Sequence, residues 1–166
     1  FQSSPRYDIQ SINGHATHNE QRAPDESAVT ATDVASSTAD LAGAIIYTVG
    51  CHSGLNDSGS LDLAQAFAQK GASYVANTGY GWGGGGTTYS EALMRNLTLS
   101  LLSGMSQELG DALMRAKTTY YYTGTGQSPN SYDHKVLAES VLYGLPTWVI
   151  TTGATFADEE PFPGVI

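Results

Sequence analysis

Apolar and polar positions along the chain predict short strands separated by helices. RYDIQSI, residues 6–12, alternates with a period of two and ends at Asn13-Gly14, which predicts a strand. The nearly continuous apolar run from Leu41 to Val49 is typical of a strand that is buried on both faces. ASYVANT, residues 72–78, predicts another strand, and VLYGLPTWVI, residues 141–150, predicts a last one that a glycine and a proline interrupt.

Helical periodicity fills the intervals between these strands. LDLAQAFAQK, residues 61–70, predicts a helix that Ser60 caps. Two longer amphipathic stretches, residues 87–104 and 106–122, predict a pair of helices. The polar segment 17–37 predicts a long surface loop. This order of elements indicates an α/β fold with a mostly parallel sheet.

Composition narrows the class of protein. A chain of 166 residues with 40% hydrophobic residues predicts one globular domain, over residues 1–153, and the Pro-rich acidic segment 154–166 reads as a linker or an edge segment. Formal net charge is -9 and the 7 Lys and Arg are spread singly, which argues against a nucleic-acid partner. No apolar run approaches the ~20 residues of a membrane span. Few lysines, many Ser, Thr, Gly and Tyr, and N-x-[ST] sequons at Asn56 and Asn96 favour a secreted or cell-surface glycoprotein.

The chain holds one cysteine, Cys51, just after the predicted buried strand, and His15 just after the first strand. In open α/β sheets, sites form beyond the carboxyl ends of the strands, so neighbouring strands would bring both side chains to one crevice. An imidazole can help a thiol to become a thiolate and can later protonate a leaving amine. Small residues around Cys51 leave backbone N–H groups that could hold an oxyanion. This pattern indicates nucleophilic catalysis.

Other histidines keep alternatives open. His52 adjoins Cys51 and should point away from it at an extended strand end, and His18 lies three residues into the loop, so both rank below His15 as a base. These three histidines and Cys51 also have the ligand types of a zinc site, with an H-x-x-H spacing. Zinc sites usually have tighter pairs and more sulfur, which favours the Cys-His pair.

GYGWGG, residues 79–84, matches G-x-G-x-x-G after a strand. A dinucleotide fold also needs a second strand and an acidic residue about 20 positions on, whereas a long helical pair follows here. We therefore expect a shaped loop in which Tyr80 and Trp82 wall a substrate pocket, with plain packing as the alternative. No cofactor is required, although the acidic loop NDSGSLD, residues 56–62, could hold a structural calcium ion.

Several motifs together resemble a known family. INGHA followed by IIYTVGCHSG is similar to the His-Gly and Ala-Cys signatures of clan CD cysteine peptidases, which include caspases, legumains and gingipains. The resemblance is greatest to the gingipain family, whose later segments are matched in order by GASYVANTGYGWG, GMSQELGDALMRAK and LYGLPTWVI. It runs from Tyr7 to Ile150.

This resemblance implies a caspase-like fold and a cysteine endopeptidase that acts on protein or peptide substrates through an acyl-enzyme. Cys51 matches the nucleophile and His15 the general base, and the N–H groups of Cys51 and Ala16 would form the oxyanion hole. The clan usually has glycine where Ala16 stands, and the family tends to carry Asp where Leu145 stands.

The implied fold normally has two strands before the histidine strand, and this chain has about a dozen residues there. We therefore expect another chain or an upstream segment to pack along the edge of the strand at residues 6–12. The same departures motivate an alternative function, a catalytically silent caspase-like domain that serves as an extracellular structural, filament or adhesion subunit.

Overall fold

The computed structural model describes residues 8–57, 59–83, 86–104, 106–124 and 128–151. The predicted linker at 154–166 and the first two residues of the predicted strand 6–12 lie outside these ranges.

A four-stranded sheet forms the centre of the fold, in the order β1, β5, β6, β8. Strands β1 (Ile9–Ser11), β5 (Ile45–Tyr47) and β6 (Ser73–Asn77) run parallel, and β8 (Ser140–Tyr143) is antiparallel to β6. The three residues of β5 and the five of β6 are all buried, and the apolar residues at Ile45, Ile46 and 74–76 fit burial on both faces. The polar ends of β6 are buried as well, and the amide of Asn77 is hydrogen-bonded to Ser140 at 2.9 Å. The prediction of an α/β fold with a mostly parallel sheet is confirmed.

Helices cover both faces of this sheet. They are α1 (Ala31–Ser36), α2 (Leu63–Gln69), α3 (Tyr89–Leu102), α4 (Leu109–Thr119) and α5 (Ser131–Glu139), with a π-helical turn at Tyr120–Gly124 after α4. Because side chains alternate along a strand, Ile45 and Val75 pack on one face with α3, α4 and α5, whereas Ile46 and Tyr74 pack on the other with α1 and α2. No helix in the described ranges combines the length and hydrophobicity of a membrane span.

A second, antiparallel sheet begins at His15 and takes its other two strands from residues 17–37, the segment that the sequence predicts to be a surface loop. It contains β2 (His15–Ala16), β3 (Glu20–Arg22) and β4 (Ala28–Thr30), and α1 follows directly. The prediction of a loop is wrong because strands of two or three residues show no usable hydrophobic period. Among these strands only Gln21 is fully buried, and it is polar.

Two further predictions need correction. The predicted last strand at 141–150 is two strands in different sheets, since its second part, β9 (Val149–Thr151), pairs with β7 (Ser106–Glu108). Asp62 caps α2 in place of Ser60, because its Oδ1 accepts a hydrogen bond from the N–H of Gln65 at 2.7 Å.

Candidate active site

The candidate site lies where β1 and β5 end. These two strands are neighbours and run parallel, so their carboxyl ends share one edge of the sheet. His15 opens β2 four residues after β1 ends, and Cys51 lies four residues after β5 ends. The topology therefore carries both predicted residues to the same edge.

Close backbone contacts hold the two loops together. A Cβ atom at Gly50 would lie 2.6 Å from the Cβ atom of Ala16, so β2 packs directly on the residue before Cys51. A Cβ atom at Gly14 would overlap the carbonyl oxygen of Arg22. Only glycine permits either approach, and each glycine immediately precedes a predicted catalytic residue.

Cys51 and His15 line the same open pocket, whose volume is about 480 Å³. Cys51 is a free, half-buried thiol, and its Sγ lies 3.8 Å from the carbonyl oxygen of Gly81. His15 is exposed, and its imidazole makes no hydrogen bond within the described part of the chain. The pocket thus presents a thiol and an imidazole to the same volume.

The backbone N–H groups near this pair are partly unused. Among the described residues the N–H of Cys51 has no hydrogen-bond partner. β2 and β3 form a hairpin in which the N–H of Thr17 donates to the carbonyl oxygen of Glu20. Because hydrogen-bonded and non-hydrogen-bonded pairs alternate along antiparallel strands, the next pair, Ala16 and Gln21, is non-hydrogen-bonded. The N–H of Ala16 therefore points away from β3.

The loop after β6 closes one side of the pocket. A Cβ atom at Gly81 would overlap the carbonyl oxygen of Val49, so this loop lies directly on the segment that leads to Cys51. Trp82 lines the pocket, and its ring packs against Tyr132 with 4.5 Å between centroids. Tyr80 is 60% exposed and is not among the residues that line the pocket; its ring lies 4.6 Å from that of His52.

Two charged side chains that the sequence reasoning missed also line the pocket. The guanidinium of Arg22 is paired with Glu20 at 3.0 Å and with Glu26 at 3.6 Å. The carboxylate of Glu91 has no hydrogen-bond or ion-pair partner within the described ranges, and a Cβ atom at Gly83 would lie 3.0 Å from its Oε1. An unpaired carboxylate in the pocket favours a cationic group on whatever binds there.

The rival bases lie elsewhere. His52 has a φ of 53°, its Nδ1 lies 3.4 Å from the carbonyl oxygen of Thr78, and it does not line the pocket. The Nε2 of His18 lies 3.2 Å from the Oγ of Ser60 and 3.5 Å from a carboxylate oxygen of Asp57. Across the described residues no group of three or more His, Cys, Asp and Glu side chains could hold a metal ion.

The acidic loop at residues 56–62 is held by its own hydrogen bonds. Asn56 is exposed, and its Nδ2 donates to the Oδ2 of Asp62 at 3.0 Å, while the other carboxylate oxygen caps α2. Asn96, the other sequon asparagine, is half-buried within α3. Glycosylation at Asn56 and Asn96 and calcium binding by this loop stay predictions.

A mostly parallel α/β sheet flanked by helices fits a caspase-like fold. The chain belongs to peptidase family C25, the gingipain family of clan CD, because the sequence model of that family matches residues 8–150. Comparisons with curated proteins and with solved structures gave no significant match. The predicted gingipain-like family is confirmed.

Proposed function

We propose that this protein hydrolyses peptide bonds as a cysteine endopeptidase, with Cys51 as nucleophile and His15 as general base. The observation that carries the proposal is that both side chains line one pocket at the carboxyl edge of β1 and β5. Membership of a peptidase family supports the reaction class. The predicted protein or peptide substrate follows from that class.

In the proposed mechanism His15 accepts the thiol proton of Cys51, and the thiolate sulfur attacks the carbonyl carbon of the scissile bond. The resulting oxyanion accepts hydrogen bonds from the N–H groups of Cys51 and Ala16. His15 then gives its proton to the leaving amine, and an acyl-enzyme remains. A water molecule, deprotonated by His15, attacks the acyl carbon and releases the acid and the free thiol.

The test is the rate of thiol alkylation against pH, for the wild type, His15→Ala and the control His52→Ala. We expect wild-type Cys51 to react well below the ~8.5 pKa of a free thiol. His15→Ala should lose that reactivity, and His52→Ala should keep it because His52 lies outside the pocket. Equal profiles in all three proteins, with midpoints near the free-thiol value, would reject the dyad.

Peptidase assays test the same pair independently. Cys51→Ala should abolish hydrolysis and labelling by a peptidyl electrophile while the fold survives, because a half-buried sulfur contributes little packing. His15→Ala should lose nearly as much activity, since members of a catalytic unit are not additive.

We also propose that a further strand, from another chain or an upstream segment, adds to the outer edge of β1. Within the described sheet β1 is an outermost strand. Ile12 and Asp8 bond to β5 through their backbones, so by alternation the N–H groups of Ile9 and Ser11 face the outer edge. Ser11→Pro should block strand addition and leave the pairing with β5 intact. Ultracentrifugation with the partner segment checks this, and unchanged association of Ser11→Pro would count against it.

A second candidate function is a structural, filament or adhesion subunit of the same fold. The exposed imidazole of His15, with no hydrogen bond in the described part of the chain, favours it. A subunit of this kind would associate through β1 but would not be labelled at Cys51 by a peptidyl electrophile. A labelled wild-type protein would exclude it.

A further inference from the structure

A buried amide lies beneath the two loops of the candidate site. Gln21 is 8% exposed and stands opposite Ala16 in the hairpin that begins at His15. Its Oε1 accepts a hydrogen bond from the hydroxyl of Thr48 at 3.3 Å, and that hydroxyl oxygen accepts from the N–H of Gly50 at 2.9 Å. Two hydrogen bonds in series therefore connect the hairpin to the residue before Cys51.

The amide spans the gap between the loops. A Cβ atom at Gly50 would lie 3.1 Å from the Oε1 of Gln21, and one at Gly14 would lie 3.4 Å from its Nε2. One end of the amide thus adjoins the residue before Cys51, and the other end adjoins the residue before His15.

The chemistry of this position is unusual for a packing residue. The Nε2 of Gln21 is buried and has no hydrogen-bond partner among the residues that the structure describes, so the amide is only half satisfied there. Burying an unpaired donor opposes folding, whereas a methionine would fill a similar volume without an unpaired polar atom. Packing alone therefore does not explain a glutamine here, while a polar connection between the two loops does.

We propose that Gln21 is a positioning residue that sets the imidazole of His15 relative to the thiol of Cys51, acting through Thr48. The inference rests on the proposed peptidase function. Gln21 touches neither substrate nor the reacting atoms in this role. It fixes the hairpin against the loop that carries Cys51, so that the distance between the imidazole of His15 and the thiol of Cys51 stays constant during proton transfer.

The test compares three variants. Gln21→Met keeps the length of the side chain and removes both amide atoms, and Thr48→Val removes the linking hydroxyl. Thr98→Val is the matched control. Thr98 lies in α3, away from the hairpin, and its hydroxyl is hydrogen-bonded to that of Tyr47 at 2.6 Å.

We expect Gln21→Met and Thr48→Val to lower kcat about tenfold or more with KM nearly unchanged, because small displacements of reacting groups slow chemistry more than binding. Their alkylation profiles should move toward that of a free thiol. Thr98→Val should retain the wild-type kcat and profile. Amide hydrogen exchange over residues 15–22 should be faster in the first two variants than in the wild type or the control.

The outcomes separate this inference from the function on which it rests. If the wild type is active and both Gln21→Met and Thr48→Val keep its kcat and alkylation profile, the positioning role is overturned. It is also overturned if Thr98→Val loses as much. If wild-type Cys51 alkylates as a free thiol, the proposed dyad fails, and hydrogen exchange still decides whether Gln21 fixes the hairpin: unchanged exchange in both variants overturns it.

Discussion

Replacing Gly81 by alanine is the most informative single change outside the dyad. The new Cβ atom would overlap the carbonyl oxygen of Val49 and would lie 3.0 Å from its carbonyl carbon and 3.3 Å from that of Gly50. These atoms belong to backbone and cannot rotate away. The carbonyl of Val49 also accepts a hydrogen bond from Asn77, which lies in the buried strand β6, so the neighbourhood resists movement.

Overpacking of this kind costs about 1–3 kcal/mol. For a domain of this size each kcal/mol lowers Tm by about 2–4 °C, so we expect a loss of roughly 2–12 °C. Relief of the overlap must move either the 81–83 loop or the Val49–Cys51 segment. A displacement of about 1 Å at the thiol would lower kcat/KM about 100-fold.

Gly83→Ala is the matched control, because it lies in the same loop and adds the same methyl group. The three atoms nearest to its Cβ would be the carboxylate end of Glu91, the first at 3.0 Å, and that side-chain end can rotate aside. Calorimetry and the alkylation rate of Cys51 measure both variants. Equal Tm values and equal alkylation rates for Gly81→Ala and Gly83→Ala would refute the role of the Gly81 contact in positioning the thiol of Cys51.

Three further predictions follow from single groups. Glu91→Gln should lower the preference for a cationic over a neutral side chain by about tenfold in kcat/KM, equivalent to ~1.4 kcal/mol, and an unchanged ratio for paired peptides would count against it. Hydrogen bonds from the side chain and then the backbone of Thr30 lower the pKa of Asp33, so its stabilising contribution is present above the ordinary carboxyl pKa and is lost as pH falls through the lowered value. The unfolding free energy, measured in urea at several pH values, should therefore fall less steeply with decreasing pH in Asp33→Ala than in the wild type. Phe67→Ala removes a fully buried ring that packs against Tyr74 at 4.8 Å and should destabilise the domain by about 3–5 kcal/mol, whereas a loss under 1 kcal/mol in urea would contradict this packing.

The sequence predicts the middle of the central sheet because β5 and β6 are buried on both faces. β5 lies within a continuous apolar run and β6 has apolar residues at its centre, 74–76, so both are identified as core strands. The positions of Cys51 and His15 follow from the same logic, since a residue just beyond a parallel strand must stand at the site edge. The motifs INGHA and IIYTVGCHSG, which resemble those of the gingipain family, predict the same two residues.

The hairpin and its contribution to the site could not be predicted this way. Gln21 is buried by tertiary contact with Thr48 and Gly50, and nothing in a polar tripeptide of β3 signals that contact. In the sequence Glu91 is an ordinary acidic residue in the first turn of a helix, and only the tertiary structure brings it to the pocket.

One missed element did carry a local signal. Helix α5 begins after Asn130, whose side chain caps it reciprocally with Asp133. An N-x-x-D pattern before an apolar run is a capping box, and this one could have been found.

The two members of the proposed dyad belong to different sheets, and that division affects how the protein responds to heat. His15 is part of the small sheet of β2, β3 and β4, while Cys51 follows β5 of the central sheet, whose three residues are all buried. Short, partly exposed strands belong to the low-stability end of a structure and open independently of the core. Sub-global opening of the hairpin would thus separate base from nucleophile while the central sheet stays intact, so thermal inactivation would be reversible over a temperature range in which the domain has not yet melted.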